Sequence, residues 1–325
     1  MIRTERLNHG GIMANYRCTA ACRHCLYACS PERTDGYISE DNAKTVGRLL
    51  REGGCRSIHI GGGEPFLDFE GLLLLVRTVT SLGVRVEYIE TNAYWAQDYR
   101  ETASRLRELA QAGADTLCIS FDPFHAEYVP IELPLSLAAI CQEVGFGYFL
   151  WQERYYSVLS RLDRDKTHSR AEMEELISPR YVIETARNYA LHMGGRAIGI
   201  EAEYSPSKPA EDVINNKPCY GLLSGGHFHV DMYVRYIPPG CTGIAIPLDE
   251  AVHGIPDGKY PVFEALLSGG IAELMKYAAK LGFETDPKGY PSGCALCFHI
   301  RRWLCENAPS PELDAEHYVE SIKYW

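Results

Sequence analysis

The sequence predicts an α/β protein, a partial (β/α)6 TIM-type barrel over residues 1–205 followed by a small cysteine-rich α+β domain over 206–325. Three observations predict it. Short apolar runs alternate with amphipathic stretches from about residue 10 to 205, the pattern of β–α units around a parallel sheet. Polar residues follow the apolar runs, and in β/α barrels such strand ends build the active site. After Glu203 the texture changes to Ser205-Pro206-Ser207-Lys208-Pro209 and then to a glycine- and proline-rich region carrying five of the twelve cysteines.

The predicted strands are Gly11–Arg17, Ser57–Ile60, Arg85–Glu90, Thr116–Ser120, Gly147–Trp151 and Ala197–Ile200. The predicted helices between them are Asn42–Glu52, Phe69–Leu82, Asp98–Ala112, Leu135–Val144 and Arg170–Met193, with Val262–Leu281 packing the second domain. Six such units favour an incomplete barrel over a closed one of eight.

The 46% hydrophobic fraction of the 325 residues is that of a globular chain. The longest apolar stretches, such as Gly71 to Val76, stop far short of the roughly 18 residues a membrane helix needs. The charged N-terminus has no apolar signal core, so a cytoplasmic location is expected. A net charge of −11 opposes binding to nucleic acid. Without an export signal, twelve cysteines read as metal ligands, redox thiols and buried apolar residues rather than as a disulfide framework. Two clusters of them suggest two metal sites.

Cys18, Cys22 and Cys25 follow the first strand with three and then two residues between them, a spacing that lets one loop wrap a cubane cluster. Clusters usually take four thiolates, so three leave one iron open to a small molecule. The same residues also fit a structural zinc or an ordinary cluster with Cys29 as fourth ligand, and Cys29 creates a rival triplet with Cys22 and Cys25. The second strand runs into Gly61-Gly62-Gly63-Glu64-Pro65, where glycines let backbone approach a ligand and Pro65 stiffens the exit.

These two motifs resemble the radical S-adenosylmethionine (SAM) superfamily, whose loop has this cysteine triplet with an aromatic-type residue, here His24, before the last cysteine. Its second loop carries the Gly-Gly-Glu-Pro sequence found at Gly62, Gly63, Glu64 and Pro65. The resemblance implies that Cys18, Cys22 and Cys25 bind a [4Fe–4S] cluster and that Gly62 to Pro65 hold the methionine amino group of SAM. It also favours this triplet over the rival one. Thr91, Asn92, Ser120 and Asp122 resemble family positions near SAM. His125, Glu153, Arg154 and Glu201 are further polar candidates at strand ends.

Cys219 and Cys241 bracket a segment of strand-like alternation, and Cys294 and Cys297 form a later clip. One four-thiolate site can gather them, and four cysteines also suit zinc. The arrangement resembles the twitch domain, the short form of the SPASM extension of radical SAM enzymes, and implies an auxiliary [4Fe–4S] cluster. Cys305 exceeds that ligand count and is a candidate catalytic hydrogen donor or a packing thiol. His227 and His229 share a strand face, where either touches substrate or faces solvent, and solvent is the expectation.

By resemblance, the chain reductively cleaves SAM to a 5′-deoxyadenosyl radical and abstracts hydrogen from a peptide or a sugar-like small molecule, giving oxidation or epimerisation. A low-potential electron donor such as flavodoxin or ferredoxin is implied as a partner, with no nucleic acid and no membrane. The competing expectation is a non-catalytic iron–sulfur carrier or sensor, which needs no SAM pocket.

Overall fold

The computed structural model describes residues 2–189, 191–192 and 194–319. The first half alternates β1 (His9–Met13), α1 (Glu40–Glu52), β2 (Ser57–Gly61), α2 (Phe69–Ser81), β3 (Arg85–Thr91), α3 (Tyr99–Ala112), β4 (Thr116–Ser120), α4 (Pro123–Ala126), α5 (Glu132–Val144) and β5 (Gly147–Trp151). Side-chain caps start three of the long helices: Ser39, Asp68 and Asp98 accept hydrogen bonds from backbone N–H groups of the first turns of α1, α2 and α3. These helices cover one face of the sheet, with Val46, Leu50, Leu72, Val76, Leu106 and Leu109 fully or almost fully buried against it.

A helical stretch follows: α6 (Tyr156–Leu159), α7 (Arg170–Leu176), α8 (Tyr181–Tyr189), α9 (Ala197–Tyr204) and α10 (Ala210–Val213). The chain then returns as β6 (Gly226–Asp231), β7 (Arg235–Ile237) and β8 (Ile246–Pro247), followed by α11 (Leu248–His253), α12 (Pro261–Lys280), α13 (Gly293–Asn307) and α14 (Glu316–Val319). The sheet is open, in the order β5-β4-β3-β2-β1-β6-β7-β8. Its first six strands in that order run parallel, and β7 and β8 are antiparallel. The fold is therefore a partial barrel.

Two predicted elements differ. Ala197–Ile200 begins helix α9 rather than the sixth strand. A short apolar run looks alike in a buried helix and a buried strand, and here tertiary packing decided for helix. The sixth parallel strand is β6, which pairs with β1 on the far side of the sheet. The long helix predicted over Arg170–Met193 is interrupted between α7 and α8, where Pro179 follows Ser178. Met193 itself lies outside the described residues.

Residue 205 caps the end of α9, and the sheet runs on across this position through β6. Core residues from both halves, Ile12 and Leu50 with Phe263 and Leu304, form one hydrophobic cluster. Among the described residues no helix is long and apolar enough to cross a membrane.

Candidate active site

The loop after β1 carries the first cysteines at the carboxyl ends of the parallel strands. It is pinned at both ends and from behind. Cys18 N donates to Ser30 O at 3.0 Å, and Cys25 N donates to Cys22 O at 3.0 Å. Arg196, 2% exposed and contributed by the start of α9, donates from Nε to Cys22 O at 2.9 Å and from a terminal nitrogen to Cys29 O at 2.6 Å. Its backbone N–H bonds Cys25 O at 3.1 Å. Gly195, at φ 52°, makes this approach possible, because a Cβ there would stand 2.2 Å from Leu26 O.

The sulfurs already attract donors. Ala20 N points at Cys18 Sγ at 3.4 Å, Asn92 Nδ2 at Cys18 Sγ at 3.7 Å, and Cys29 N at Cys25 Sγ at 3.3 Å. The Cys29 thiol beside Cys25 holds the Cys25 thiol below its ordinary pKa, helped by Arg196 and against burial. Burial and Glu64 push Cys18 up.

The glycine-rich loop is stitched to this cysteine loop. Gly63 N donates to Asn15 O at 2.9 Å, Glu64 N donates to Arg17 O at 2.9 Å, and Asn15 Nδ2 donates to Glu64 O at 3.0 Å. The approach excludes any side chain at Gly63, whose Cβ would lie 1.9 Å from Arg17 O. Glu64 is completely buried. Its Oε1 accepts from Phe66 N at 3.1 Å and Thr91 Oγ1 at 3.0 Å, and its Oε2 accepts from Asn92 N at 2.7 Å. Burial still pushes its pKa up to about 7 against these donors. Pro65 opens the single turn that follows.

Both loops border one cavity of about 330 Å³, also lined by Thr91, Asn92 and Ser120 from the ends of β3 and β4. Asp122 sits behind its wall, capping α4 through Phe124 N and His125 N while His125 Nδ1 lies 2.5 Å from its second oxygen. Against the effect of burial, Asp122 holds His125 well above the ordinary histidine range. His24 stacks on Phe124 and lines the cavity, and burial lowers its pKa to about 3.

Several expected residues lie elsewhere. Glu153 and Arg154 are exposed and do not line the cavity, because Gln152, at φ 66°, turns the chain away as it leaves β5. Arg154 instead donates to Asn188 O. Glu201, expected beyond a strand, accepts from Ser292 Oγ at 2.6 Å on α9, and Glu203 pairs with Arg170. The two histidines differ: His227 is exposed and lines the cavity, whereas His229 is turned inward because β6 lies beside β1, and its Nε2 meets His59 Nε2 at 3.2 Å. A bulge at His227, φ 57°, accompanies that placement.

The second cysteine set is gathered by tertiary structure. Cys219 precedes a short turn, Cys241 follows β7, and Cys294 and Cys297 occupy the first turns of α13, which Ser292 caps. Burial raises the pKa of Cys219, Cys294 and Cys297, and the neighbouring thiols, Cys241 among them, add to the rise. Arg301, buried one turn beyond Cys297, donates to Thr242 O at 2.7 Å and Tyr318 Oη at 2.9 Å and reaches the Cys297 thiol. Cys305, the expected hydrogen donor, lies two turns beyond Cys297 and packs against the cluster of Ile198, Phe298 and Tyr318 rather than lining the cavity. Sequence reasoning missed Arg196, Arg301 and the cavity-facing Cys118, Trp151 and Tyr88.

The fold and site together are those of an open parallel β/α barrel with a three-cysteine loop and a glycine-rich loop at the carboxyl ends of its strands. Residues 13–136 match the profile of the Radical SAM superfamily, so this part of the chain carries a radical SAM domain. The family implies a [4Fe–4S] cluster and SAM, and the donor set fits them.

Among curated proteins, the putative peptide biosynthesis protein YydG of Bacillus subtilis is 26% identical over 113 residues, 35% of each chain. A probable GTP 3′,8-cyclase of Methanothermobacter marburgensis is 27% identical over 111 residues, 34% of each chain. The match thus spans about a third of these relatives' length. Among solved structures, Streptococcus suis SuiB bound to SAM aligns at TM-score 0.46 and 15% identity over 90% of this chain and 77% of SuiB. BtrN in complex with AdoMet and 2-DOIA aligns at 0.44 and 16% over 84% of this chain and 91% of BtrN.

Proposed function

We propose that this chain is a radical SAM enzyme in which Cys18, Cys22 and Cys25 hold the [4Fe–4S] cluster that binds SAM, acting on a peptide or sugar-like metabolite to give oxidation or epimerisation. The observation that carries the reading is the meeting of the cysteine loop, Gly62–Gly63 and Thr91–Asn92 on one cavity, with Glu64 bonded to Thr91 and Asn92 behind it. When bound, the cluster and SAM supply a hydrogen-abstracting carbon radical, the part of the chemistry that belongs to the cofactor.

The chain's own residues orient and exclude. Gly62, Gly63 and Glu64 receive the methionine amino group, and Pro65 fixes the loop's exit. Thr91 and Asn92 brace Glu64, Ser120 adds a hydroxyl at the next strand end, and Asp122 holds His125 in place. Arg196 fixes the cysteine loop.

Residues 206–325 serve in this reading as a twitch/SPASM-like domain with an auxiliary [4Fe–4S] cluster on Cys219, Cys241, Cys294 and Cys297. The name of the Bacillus subtilis relative favours a peptide substrate. A flavodoxin- or ferredoxin-type donor and a cytoplasmic setting complete the proposal.

The test is anaerobic reconstitution followed by reduction with dithionite and assay of 5′-deoxyadenosine. Cys18→Ala, Cys22→Ala and Cys25→Ala should each reduce its formation by at least about 100-fold, and Cys29→Ala should retain it. Loss in Cys29→Ala with activity kept in Cys18→Ala would move the cluster to the rival triplet. Iron-loaded wild type that cleaves no SAM would return the chain to the carrier or sensor class.

A further inference from the structure

The cavity contains a carboxylate that the SAM-binding reading leaves without a task. Among the described residues lining it, Glu90 is the one acidic side chain. It is the next-to-last residue of β3 and shares the inner face of that strand with Tyr88, two positions back. The buried carboxylates nearby are spoken for: Glu64 accepts three hydrogen bonds and Asp122 holds His125 and caps α4. Glu90 accepts none from a described residue, and the basic nitrogen nearest its carboxylate is His59 Nε2 at 3.8 Å.

His59 cannot serve as its counter-ion. It is 3% exposed, burial pushes its pKa down to about 3, and its Nε2 is engaged with His229 Nε2 at 3.2 Å. His229 and His227 are lowered too, both chiefly by burial. His125 Nδ1 is taken by Asp122 at 2.5 Å, and Arg196 is bonded to the cysteine-loop carbonyls. Glu90 nevertheless faces open space, its side chain 45% exposed within the cavity.

Aromatic faces surround it. Tyr88 stacks on His59 with ring centroids 5.0 Å apart, Phe149 meets Tyr88 edge-on at 5.3 Å, and Trp151 lines the cavity from the end of β5, two strands away. A carboxylate without a protein partner at the mouth of a cavity is free to pair with a charge that a ligand brings. Carboxylate and aromatic faces together suit an organic cation, which gains from both.

We propose that Glu90 is the specificity-determining residue for substrate and selects a group bearing an ammonium ion, with Tyr88 and Trp151 flanking it. The inference rests on the SAM-enzyme reading and names the chemistry of the substrate that this same cavity takes. It is consistent with burial holding the Glu90 pKa up to about 7 in the absence of such a group.

The experiment uses reconstituted protein with SAM and no reductant, so that nothing turns over, at pH 8.5. Two matched pairs of probes are titrated by calorimetry: Nα-acetyl-lysine amide against N-acetyl-norleucine amide, and 6-amino-6-deoxyglucose, a primary alkylamine that stays charged at this pH, against glucose. The ammonium member of at least one pair should bind at least about tenfold more tightly than its neutral partner, a difference of about 1.4 kcal/mol. The pair that discriminates identifies a peptide or an amino-sugar source.

Glu90→Gln should reduce the preference below about twofold, and Glu90→Asp, which keeps the charge, should retain most of it. A wild type with no preference in either pair overturns the proposal, as does a preference undiminished in Glu90→Gln. SAM cleavage is assayed on the same preparations without probe. Its loss in wild type would sink the enzyme reading while leaving the selectivity of Glu90 standing, so the two failures are separable.

Discussion

The two cysteine sites are assembled in opposite ways, although each is backed by a buried arginine. The first is a single loop whose three thiols come from eight consecutive residues, Cys18 to Cys25. Arg196 reaches it from 174 residues away along the chain and bonds its carbonyls, so it acts on the loop's backbone. The second draws its thiols from a turn, a strand exit and a helix, and Arg301 lies on that same helix, bonded to Thr242 O and Tyr318 and reaching a thiol directly. A local site needs a clamp, whereas a site made by the fold takes its shape from the core around it.

The largest expected effect separates the two sites by metal content and chemistry. Wild type should hold about eight irons, two clusters of four. Cys294→Ala/Cys297→Ala should fall to about half that content and still convert SAM to 5′-deoxyadenosine, whereas Cys22→Ala should abolish the conversion. Iron analysis with product chromatography measures both. About four irons and one zinc in wild type would make the second site structural and end the symmetry of the comparison.

Next in size come the arginines. Arg196→Met leaves two carbonyls, Cys22 O and Cys29 O, without their guanidinium donors, while the backbone bond to Cys25 O is kept, and should cost about 3 kcal/mol in denaturant unfolding. It should also deplete iron from the first site while the second keeps its share. Arg301→Met should do the reverse. Equal loss from both sites in either variant would show that the arginines support the core as a whole rather than one cysteine set each.

The same contrast explains what was legible in the sequence. Cys18, Cys22, Cys25 and the Gly62–Pro65 loop could be read because their contacts are local or joined by adjacent strands. Glu64 followed from its motif, though its bonds to Thr91 and Asn92 appear only once β2 and β3 pair. Arg196 carried no local mark, since its partners lie at Cys22 and Cys29. The true sixth strand, β6, was hidden for a related reason: it sits beside β1, and no periodicity within residues 226–231 says so. For this reason His229 looked solvent-facing when it is packed against His59.

A smaller effect belongs to Glu90, and its sign follows from linkage. Burial raises the Glu90 pKa in the folded state to about 7, above the unfolded value near 4.3. Below about pH 4 both states are protonated and no penalty arises. Between those values the unfolded state ionises first, so stability is lost as pH rises, and above about pH 7 the loss levels off. Glu90→Gln removes the penalty and should stabilise the protein at pH 8 but not at pH 4. The gain should be on the order of 1 kcal/mol, since cavity water screens a side chain that is 45% exposed. Unfolding curves at the two pH values measure it. An equal gain at both would assign the effect to packing.

The smallest effect is expected at Cys305, and it tests where the second site ends. The thiol lies on α13 with Cys294 and Cys297, but two turns further along the helix it packs with Ile198, Phe298 and Tyr318. Burial raises its pKa to about 12, so it remains a protonated, apolar group. Cys305→Ala removes one sulfur from a half-buried position and should cost no more than about 1 kcal/mol. Iron content and SAM cleavage should match wild type, because the residue lines neither the cavity nor, in the proposed assignment, the auxiliary cluster. Loss of iron from the second site alone would instead make Cys305 a ligand and displace one of the four assigned cysteines. Intact iron with altered product would bring the substrate to α13, and the division between a reacting cavity and a separate supporting site would have to be redrawn.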